Sequence, residues 1–401
     1  MNYIILSIPI FFILIGVEVL VSKLSRSHLY RFNDAVSNIS CGVIQQIIGV
    51  LTKTVMIVGY IYLFNHFRIF EISNSWWVYI LLFIGVDFFY YWFHRLSHEV
   101  NFLWGAHIVH HQSEEYNLSV ALRQSTFQGF FSIIFYLPLA VIGFNPVAFV
   151  TINAFQTLYQ FWIHTKTINK LHPVFEFVFC TPSHHRVHHG RNPQYIDKNH
   201  GGTLIIFDRM FGTFQPEEEE VVYGVTKPLA SWNPVWANFD YYRDMLGDLK
   251  MILSWTDRFK YIFANPGWMP ASLGGSKGIE DVTPDTASKY DTRISDSLNY
   301  YILIQYLIAM GITTVLLFST DHPLMTMSIM LGVSAWIIIS IATLGAIFES
   351  RRWAMIVEPV RLGVVLVFCF FLPFAVAVKL GVGIVAVLSI AWSIWHAREQ
   401  K

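Results

Sequence analysis

The chain has 401 residues, of which 54% are hydrophobic and only 13% are charged, and its formal net charge is zero. Soluble domains carry about 25% charged residues, so this composition excludes an ordinary soluble enzyme and predicts an integral membrane protein. Zero net charge gives no indication of a nucleic-acid partner. The three cysteines, Cys41, Cys180 and Cys369, are widely spaced and predict neither a disulfide framework nor a thiolate metal site.

Nine stretches are apolar enough to be membrane-embedded helices. They are roughly 3–22, 41–64, 76–93, 127–143, 146–163, 299–319, 325–346, 362–377 and 381–396. The first has no basic leader and no cleavage signature, so we expect a retained span and not a signal peptide. The fourth and fifth are short and form either a half-deep hairpin or two crossings.

We therefore predict an all-α, polytopic membrane protein with about nine membrane-embedded helices. Residues 1–298 are expected to form one membrane-bound domain with a cytoplasmic, histidine-rich helical cap, and residues 299–401 a C-terminal membrane domain of about four helices. Residues 216–298 are polar and rich in Trp, Pro and Gly, and their part 233–266 is expected to form helix at the membrane surface, with aromatic side chains on one side and charges on the other. The acidic run Glu217–Glu220 within them is expected to be a solvated loop.

The distribution of basic residues predicts the orientation in the membrane, because cytoplasmic loops carry an excess of Lys and Arg. Basic residues follow the first span and separate the seventh span from the eighth: Lys23, Arg26, Arg31, Arg351, Arg352 and Arg361. The loops predicted on the opposite side carry few cations. We therefore expect the N-terminus outside and the C-terminus inside.

Histidines are concentrated in one part of the chain, with twelve of the sixteen between residues 94 and 200. They form three clusters with helical spacing: His94 and His98; His107, His110 and His111; and His185, His188 and His189. Residues three and four apart share a helix face, so each cluster converges on one side of its turn. His164 adds a ninth imidazole at the end of the fifth span. The predicted topology brings all nine to the cytoplasmic ends of spans.

Nine imidazoles suit two metal ions, because one metal takes three or four protein ligands when a position stays open for chemistry. Imidazole binds iron, zinc, copper and nickel. A site of neutral imidazoles at a membrane surface favours a non-haem di-iron centre that activates oxygen. Scattered surface or core histidines, the simpler explanation, do not account for three clusters with matched spacing.

The histidine motifs H-x-x-x-H, H-x-x-H-H and H-x-x-H-H, with the lead-in "DFFYYWFHRLSHE", resemble the membrane fatty acid hydroxylase and sterol desaturase superfamily. The segments "HRLSHEVNFLWGAHIVHHQSEEYNLSVALRQS" and "TPSHHRVHHGRNPQYIDKNHGGTLIIFDRMFGTF" look most like its alkylglycerol monooxygenase branch. The resemblance covers about residues 76 to 230.

This resemblance implies a di-iron, oxygen-dependent mono-oxygenase of lipids. The branch hydroxylates the carbon next to the ether oxygen of an alkylglycerol, tetrahydrobiopterin supplies the electrons, and the resulting hemiacetal separates into aldehyde and glycerol. Carried over by position, the ligands of the two iron ions are His94, His98, His107, His110, His111, His185, His188 and His189, with His164 as a ninth. Zinc can replace iron in such sites in purified protein.

Three further histidines are assigned less directly. His184 is an alternative to His185 in register. His172 precedes a proline and is expected to support a ligand or the fold. His200 stands where the branch more often has an aromatic residue, so we expect it not to bind metal.

Several other polar residues have candidate roles. Asp87 is an ionisable group inside the third span, which is costly unless it is partnered. We expect it to accept a ring N–H from a ligand histidine, the alternative being a hydrogen bond to a neighbouring span. Asp87 and Glu99 are the candidate catalytic residues. Glu99, next to His98, is expected either to support a ligand histidine or contact a polar cofactor, or to form a surface salt bridge. Candidate cofactor-binding residues follow the second cluster: Glu114, Tyr116, Asn117 and Arg123. Arg123 is alternatively an anchor for lipid phosphates.

Other functions compete with this reading. The same centre would serve a hydroxylase or desaturase of sterols, carotenoids or fatty acyl chains, and a zinc hydrolase is also compatible with the histidines. A metal transporter is disfavoured because transporter sites lie near the bilayer midplane, whereas these histidines lie at span ends. No haem-attachment or dinucleotide motif is present, so electrons must come from a separate protein or from a soluble reductant such as a pterin.

Overall fold

The computed structural model describes residues 3–73, 75–276, 278–371 and 376–399. These residues form helices and no extended strand, with two isolated bridges at Phe179–Leu204 and Gly190–Tyr223. The all-α prediction is confirmed. The helices are α1 (Tyr3–Ser25), α2 (Phe32–Phe67), α3 (Trp76–Glu99), α4 (Asn101–His111), α5 (Gln128–Ile142), α6 (Pro146–Trp162), α7 (Pro173–Val178), α8 (Pro182–His188), α9 (Ile206–Phe211), α10 (Pro234–Ala237), α11 (Asp240–Met251), α12 (Trp255–Phe263), α13 (Asp296–Phe318), α14 (Met327–Phe348), α15 (Arg352–Phe371) and α16 (Val376–Glu399).

Among the described residues, five helices are long and apolar enough to cross a membrane: α1, the first part of α2 (Phe32–Thr52), α3, α13 and α14. They support a membrane protein. Eight of the nine predicted stretches each coincide with most of one helix or a part of it. The eighth, 362–377, covers the end of α15 and the first two residues of α16, and its residues 372–375 lie outside the described residues. The number of complete crossings and the side of the cap stay predictions.

The chain divides into two compact units. The first comprises residues 1–229 and 237–289, and the second comprises residues 230–236 and 290–401. The boundary between residues 289 and 290 lies before the predicted boundary at 298. Residues 230–236, a short segment of the polar region, belong to the second unit.

In the first unit, α3 packs against α4, α5 and α6. Its core lies between these helices and α2, where Leu82, Val86 and Leu139 are buried together with Tyr60. The hairpin between α5 and α6 turns at Gly143, whose φ of +115° favours glycine. A side chain there would also collide with the carbonyl oxygen of Phe70, 2.1 Å from the position of a Cβ. This packing fixes the ends of α3 and α6, which carry site residues.

The polar region of the first unit contains the two amphipathic helices α11 and α12. On α12, Trp255, Phe259 and Phe263 are spaced four residues apart and are exposed, whereas Tyr261 on the other side is buried. The amphipathic pattern is therefore present, and its placement at a membrane surface stays a prediction.

The second unit contains α13 to α16, and one of its residues corrects the topology argument. We expected Arg361 in a loop, but it lies within α15 and its side chain is buried. Its Nε donates to Glu358 at 2.9 Å, and its two Nη atoms donate to Ser340 and Gln305 at 3.1 and 3.0 Å. A buried, paired arginine does not count as a loop cation, so Arg351 and Arg352 alone support the predicted orientation at this point.

Candidate metal centre

The helices of the first unit place nine histidines in one buried region. His94 and His98 lie on the last turns of α3, and the second cluster lies on α4. His164 follows the end of α6, while His185 and His188 lie on α8 and His189 directly follows it. Helix α8 begins at Pro182 after Thr181, a start that suits proline because its missing N–H would be unpaired there.

The nine imidazoles separate into two groups, within each of which all candidate ligand atoms lie within 4.8 Å of one another. We call them the five-histidine group and the four-histidine group. The five-histidine group is His94, His98, His107, His111 and His188, and the four-histidine group is His110, His164, His185 and His189. All nine side chains are buried. The structure therefore brings together every histidine that the sequence proposed as a ligand.

Ring nitrogens converge within each group. Nε2 of His107 lies 3.0 Å from Nε2 of His94 and 3.1 Å from Nε2 of His111. In the other group, Nε2 of His164 lies 3.2 Å from that of His110 and 3.0 Å from that of His185. Such convergence of lone-pair donors is what a metal ion requires.

Several buried nitrogens of these rings have no hydrogen-bond partner among the described residues: Nε2 of His98, His188 and His189, and Nδ1 of His185. An unpaired buried polar atom costs about 1–3 kcal/mol, so such atoms are rare unless they bind something. The donor set thus fits metal ions, with nitrogen as the ligand atom.

In five of the nine rings, Nδ1 donates a hydrogen bond to an oxygen atom of the protein. Nδ1–H donates to a backbone carbonyl in four of them: His94 to His200 at 2.7 Å, His110 to Arg123 at 2.9 Å, His164 to Gln160 at 2.7 Å and His188 to Lys198 at 2.9 Å. In His107 the acceptor is the side-chain oxygen of Gln128, at 2.8 Å. These bonds fix the tautomer that directs the Nε2 lone pair into the groups.

Burial keeps these imidazoles neutral. It lowers the pKa of His107 to about 3 and that of His110 to about 4, and it lowers the pKa of His189 well below its usual range. At neutral pH the lone pairs are therefore available, because metal ligation requires deprotonated imidazole.

Asp87 does not bond as we expected. Its carboxylate accepts from the side chain of Gln156 at 2.7 Å and from the backbone amides of Thr203 and Leu204 at 2.9 and 2.8 Å. It thus joins α3 to α6 and to the segment after the third cluster, and it supports that segment without bonding to an imidazole. The alternative expectation, a hydrogen bond to a neighbouring span, therefore describes Asp87 better.

Glu99 forms the salt bridge that was its alternative role, with Arg95 at 2.9 Å. Arg123 is buried, and its guanidinium donates to Val109, Ser37, Asn38 and Gln112. An anchor for lipid phosphates needs an accessible guanidinium, so that expectation is wrong. Arg123 instead orders the end of α4.

The other candidate cofactor residues also bond within the protein. Glu114 lies 3.6 Å from Arg31, and Asn117 donates to the carbonyl of Leu29 at 2.8 Å. Tyr116 is buried beside the four-histidine group, with its ring 5.9 Å from that of His164 and its hydroxyl donating to Ile163. Of the three, Tyr116 lies closest to the candidate centre.

The remaining histidines differ in their surroundings. His184 points away from both groups and pairs with Glu176 at 3.1 Å. His172 is exposed and caps α7 by accepting from the amide of Val174. His200 is buried beside the five-histidine group, though its nitrogens lie outside the 4.8 Å grouping.

Sequence reasoning missed two supporting interactions. Gln128 orients His107, but nothing in its spacing distinguishes it from other polar residues at a helix start. Arg186 pairs with Glu217 through two bonds of 2.7 Å, so the first residue of the acidic run is not simply solvated. The signal in the sequence was the position of Arg186 between two candidate ligands, His185 and His188, where a buried guanidinium needs an acidic partner.

Comparisons with known proteins agree with this site. A model of the family "Fatty acid hydroxylase" matches residues 79–213, which include all nine histidines. The chain is 39% identical to an alkylglycerol monooxygenase of Xenopus tropicalis, over 88% of this chain and 78% of the relative. It is 38% identical to the alkylglycerol monooxygenase of Homo sapiens, over 90% and 81%. An ornithine lipid hydroxylase, OlsE of Rhizobium tropici, is 28% identical over 38% of this chain and 46% of that protein. No solved structure matches.

Proposed function

The chain belongs to the fatty acid hydroxylase family, and from this premise we propose that it is a membrane-bound di-iron mono-oxygenase acting on alkylglycerol ether lipids. It is an oxidoreductase of the oxygenase type, and the family supports a lipid as its substrate. The finer proposal concerns the metal, the bond attacked and the reductant. The observation that carries it is the pair of buried groups of five and four imidazoles.

Two bound iron ions would supply the activation of O2 for insertion of one oxygen atom into a C–H bond, a reaction beyond amino-acid side chains. The five-histidine and four-histidine groups would hold one ion each. An all-imidazole donor set also accepts zinc, so zinc can occupy the site in purified protein.

The protein itself holds the site ready. Burial keeps the imidazoles neutral, and the carbonyls of Lys198 and Gln160, with the amide oxygen of Gln128, fix ring orientation before a metal arrives. Trp104 packs against the ring of His98 at 4.9 Å and helps to exclude water from that side. A dry site limits side reactions of oxygen.

The substrate is proposed to be an alkylglycerol because two relatives with that activity in their names match most of the chain. Helix α3 is apolar and ends at the five-histidine group, so a lipid with its tail alongside it can bring its polar end to the metals. Hydroxylation of the carbon bonded to the ether oxygen gives a hemiacetal, which separates into fatty aldehyde and glycerol.

Electron balance requires an external reductant. One oxygen atom enters the lipid and the other leaves as water, so two electrons and two protons are consumed. We propose tetrahydrobiopterin as the donor, with a redox protein as the alternative. The site is proposed to face the cytoplasm, with the N-terminus outside and the C-terminus inside, because Lys23 lies on the last turn of α1 and Arg26 and Arg31 follow this helix.

The test uses the full chain, purified and reconstituted with Fe(II), with an alkylglycerol, O2 and tetrahydrobiopterin. We expect oxygen-dependent release of fatty aldehyde, with none from the corresponding acylglycerol ester. The variant His189→Ala should abolish release, whereas His66→Ala, at an exposed histidine outside both groups, should retain it. A hydroxylated acyl chain or sterol without aldehyde would replace the ether-lipid proposal with the alternative oxygenase.

A further inference from the structure

His200 is the one buried histidine beside the five-histidine group that no role so far accounts for. Its side chain is completely inaccessible to solvent. Among the described residues, neither of its ring nitrogens makes a hydrogen bond of normal geometry. Four of the nine candidate ligand histidines have one such nitrogen, whereas His200 has two.

Ring distances place His200 next to the five-histidine group, although its nitrogens lie outside the 4.8 Å grouping. Between neighbouring rings of the five-histidine group, the centroids are 4.3 to 5.4 Å apart. The ring of His200 lies 5.1 Å from that of His98, within this range. It lies 5.7 Å from those of His94 and His188, only slightly outside it.

The segment that carries His200 is built around the centre. The carbonyl of His200 accepts from His94 and the carbonyl of Lys198 accepts from His188, so this segment already orients two ligands. Asp208 holds it by accepting from the amides of His200 and Gly201, both at 2.7 Å.

A ring nitrogen of His200 can offer a lone pair to a metal ion. A neutral imidazole keeps a free lone pair on the ring nitrogen that carries no hydrogen, and neither ring nitrogen of His200 has a hydrogen-bond partner of normal geometry among the described residues. A buried lone pair beside five imidazoles has the character of a metal ligand. A side chain that only packs needs no polar atom, so packing alone does not explain two buried ring nitrogens without a partner.

We propose that His200 is a sixth imidazole of the five-histidine group and binds the same metal ion. This inference rests on the proposed function, since it assumes that the two groups bind metals. It makes this chain's centre one of ten histidines, six in one group and four in the other.

The test is a titration of the metal-free full chain with Co(II), whose absorption reports its ligands. His188→Ala and His189→Ala identify which binding phase belongs to which group. His200→Phe should weaken the phase that His188→Ala removes by tenfold or more and change its absorption, while the other phase stays unchanged. His66→Phe is the matched control and should alter neither phase.

A second measurement separates ligation from packing. Without metal, His200→Phe should unfold at the wild-type temperature or higher, because an unpaired buried imidazole has been replaced by an apolar ring. The rise in Tm on adding Co(II) should be smaller than in wild type.

Both phases unchanged in His200→Phe, or loss of the His189 phase instead, would overturn the inference. A lower metal-free Tm with unchanged Co(II) binding would overturn it too, and would assign His200 to packing. If wild type shows no Co(II) phase that His188→Ala removes, the ligand assignment of the proposed function fails instead.

Discussion

Gln128 offers a direct test of how the centre is held, because it is a side chain that orients a candidate ligand. Its amide oxygen accepts from Nδ1–H of His107 at 2.8 Å. Four other ligand histidines use backbone carbonyls, which substitution cannot remove. Gln128→Leu deletes the acceptor and keeps a similar side-chain volume.

The expected loss of metal affinity in Gln128→Leu follows from the position of His107 in the five-histidine group. Its Nε2 lies within 3.1 Å of two other ligand nitrogens, so a freely rotating ring would disturb the whole five-histidine group. Loss of a side chain that orients a metal-binding histidine lowers the metal affinity about 10–100-fold. This corresponds to about 1.4–2.8 kcal/mol.

The assay is competition for Co(II) between the protein and a chelator of known affinity. Gln124→Leu is the matched control, because the amide of Gln124 donates to the carbonyl of Ala121 and not to a candidate ligand. Gln128→Glu should bind at least as tightly as wild type, since a carboxylate makes the ring more basic. Equal affinities for Gln128→Leu and Gln124→Leu, or weaker binding by Gln128→Glu than by Gln128→Leu, would refute the reasoning.

Three further substitutions test the surroundings. Asp87→Ala should lower the unfolding temperature strongly, because each of the three donors that lose a buried acceptor costs about 1–3 kcal/mol, and Asp87→Asn should be milder in the same thermal scan. Burial raises the pKa of Glu176, but the hydrogen bonds to its carboxylate lower it by more. The bond from His184 contributes most to this lowering, and the resulting pKa is about 2. The carboxylate of Glu176 therefore stabilises the fold above the unfolded pKa of about 4.3 and loses this effect as the pH falls towards 2, so the Tm deficit of Glu176→Gln should be smaller at pH 3 than at pH 7. A double-mutant cycle of Arg186→Met and Glu217→Gln should give a coupling of about 1–3 kcal/mol, and additive effects would contradict a structural pair.

Local spacing explains what the sequence could predict. Histidines three and four residues apart share a helix face whatever the rest of the fold does, so the histidine clusters on α3, on α4 and at the end of α8 could be recognised as motifs. The apolar runs likewise predicted the helices, because length and hydropathy are properties of a single segment.

Tertiary packing explains what the sequence could not predict. His111 and His110 are neighbours in the chain but belong to different groups, a division that depends on where His164 and His188 meet α4. The partners of Asp87 lie on residues far along the chain, and the bonds that bury Arg123 come from α2 and α4. Long-range pairings of this kind leave no periodic signal.

The count of iron ions per chain tests the central claim most directly. The full chain, loaded anaerobically with Fe(II) and freed of loosely bound metal, should carry two ions. His188→Ala removes a donor from one group and His189→Ala from the other, so each variant should retain about one. Two ions in either variant, or one in wild type, would contradict a centre of two histidine groups.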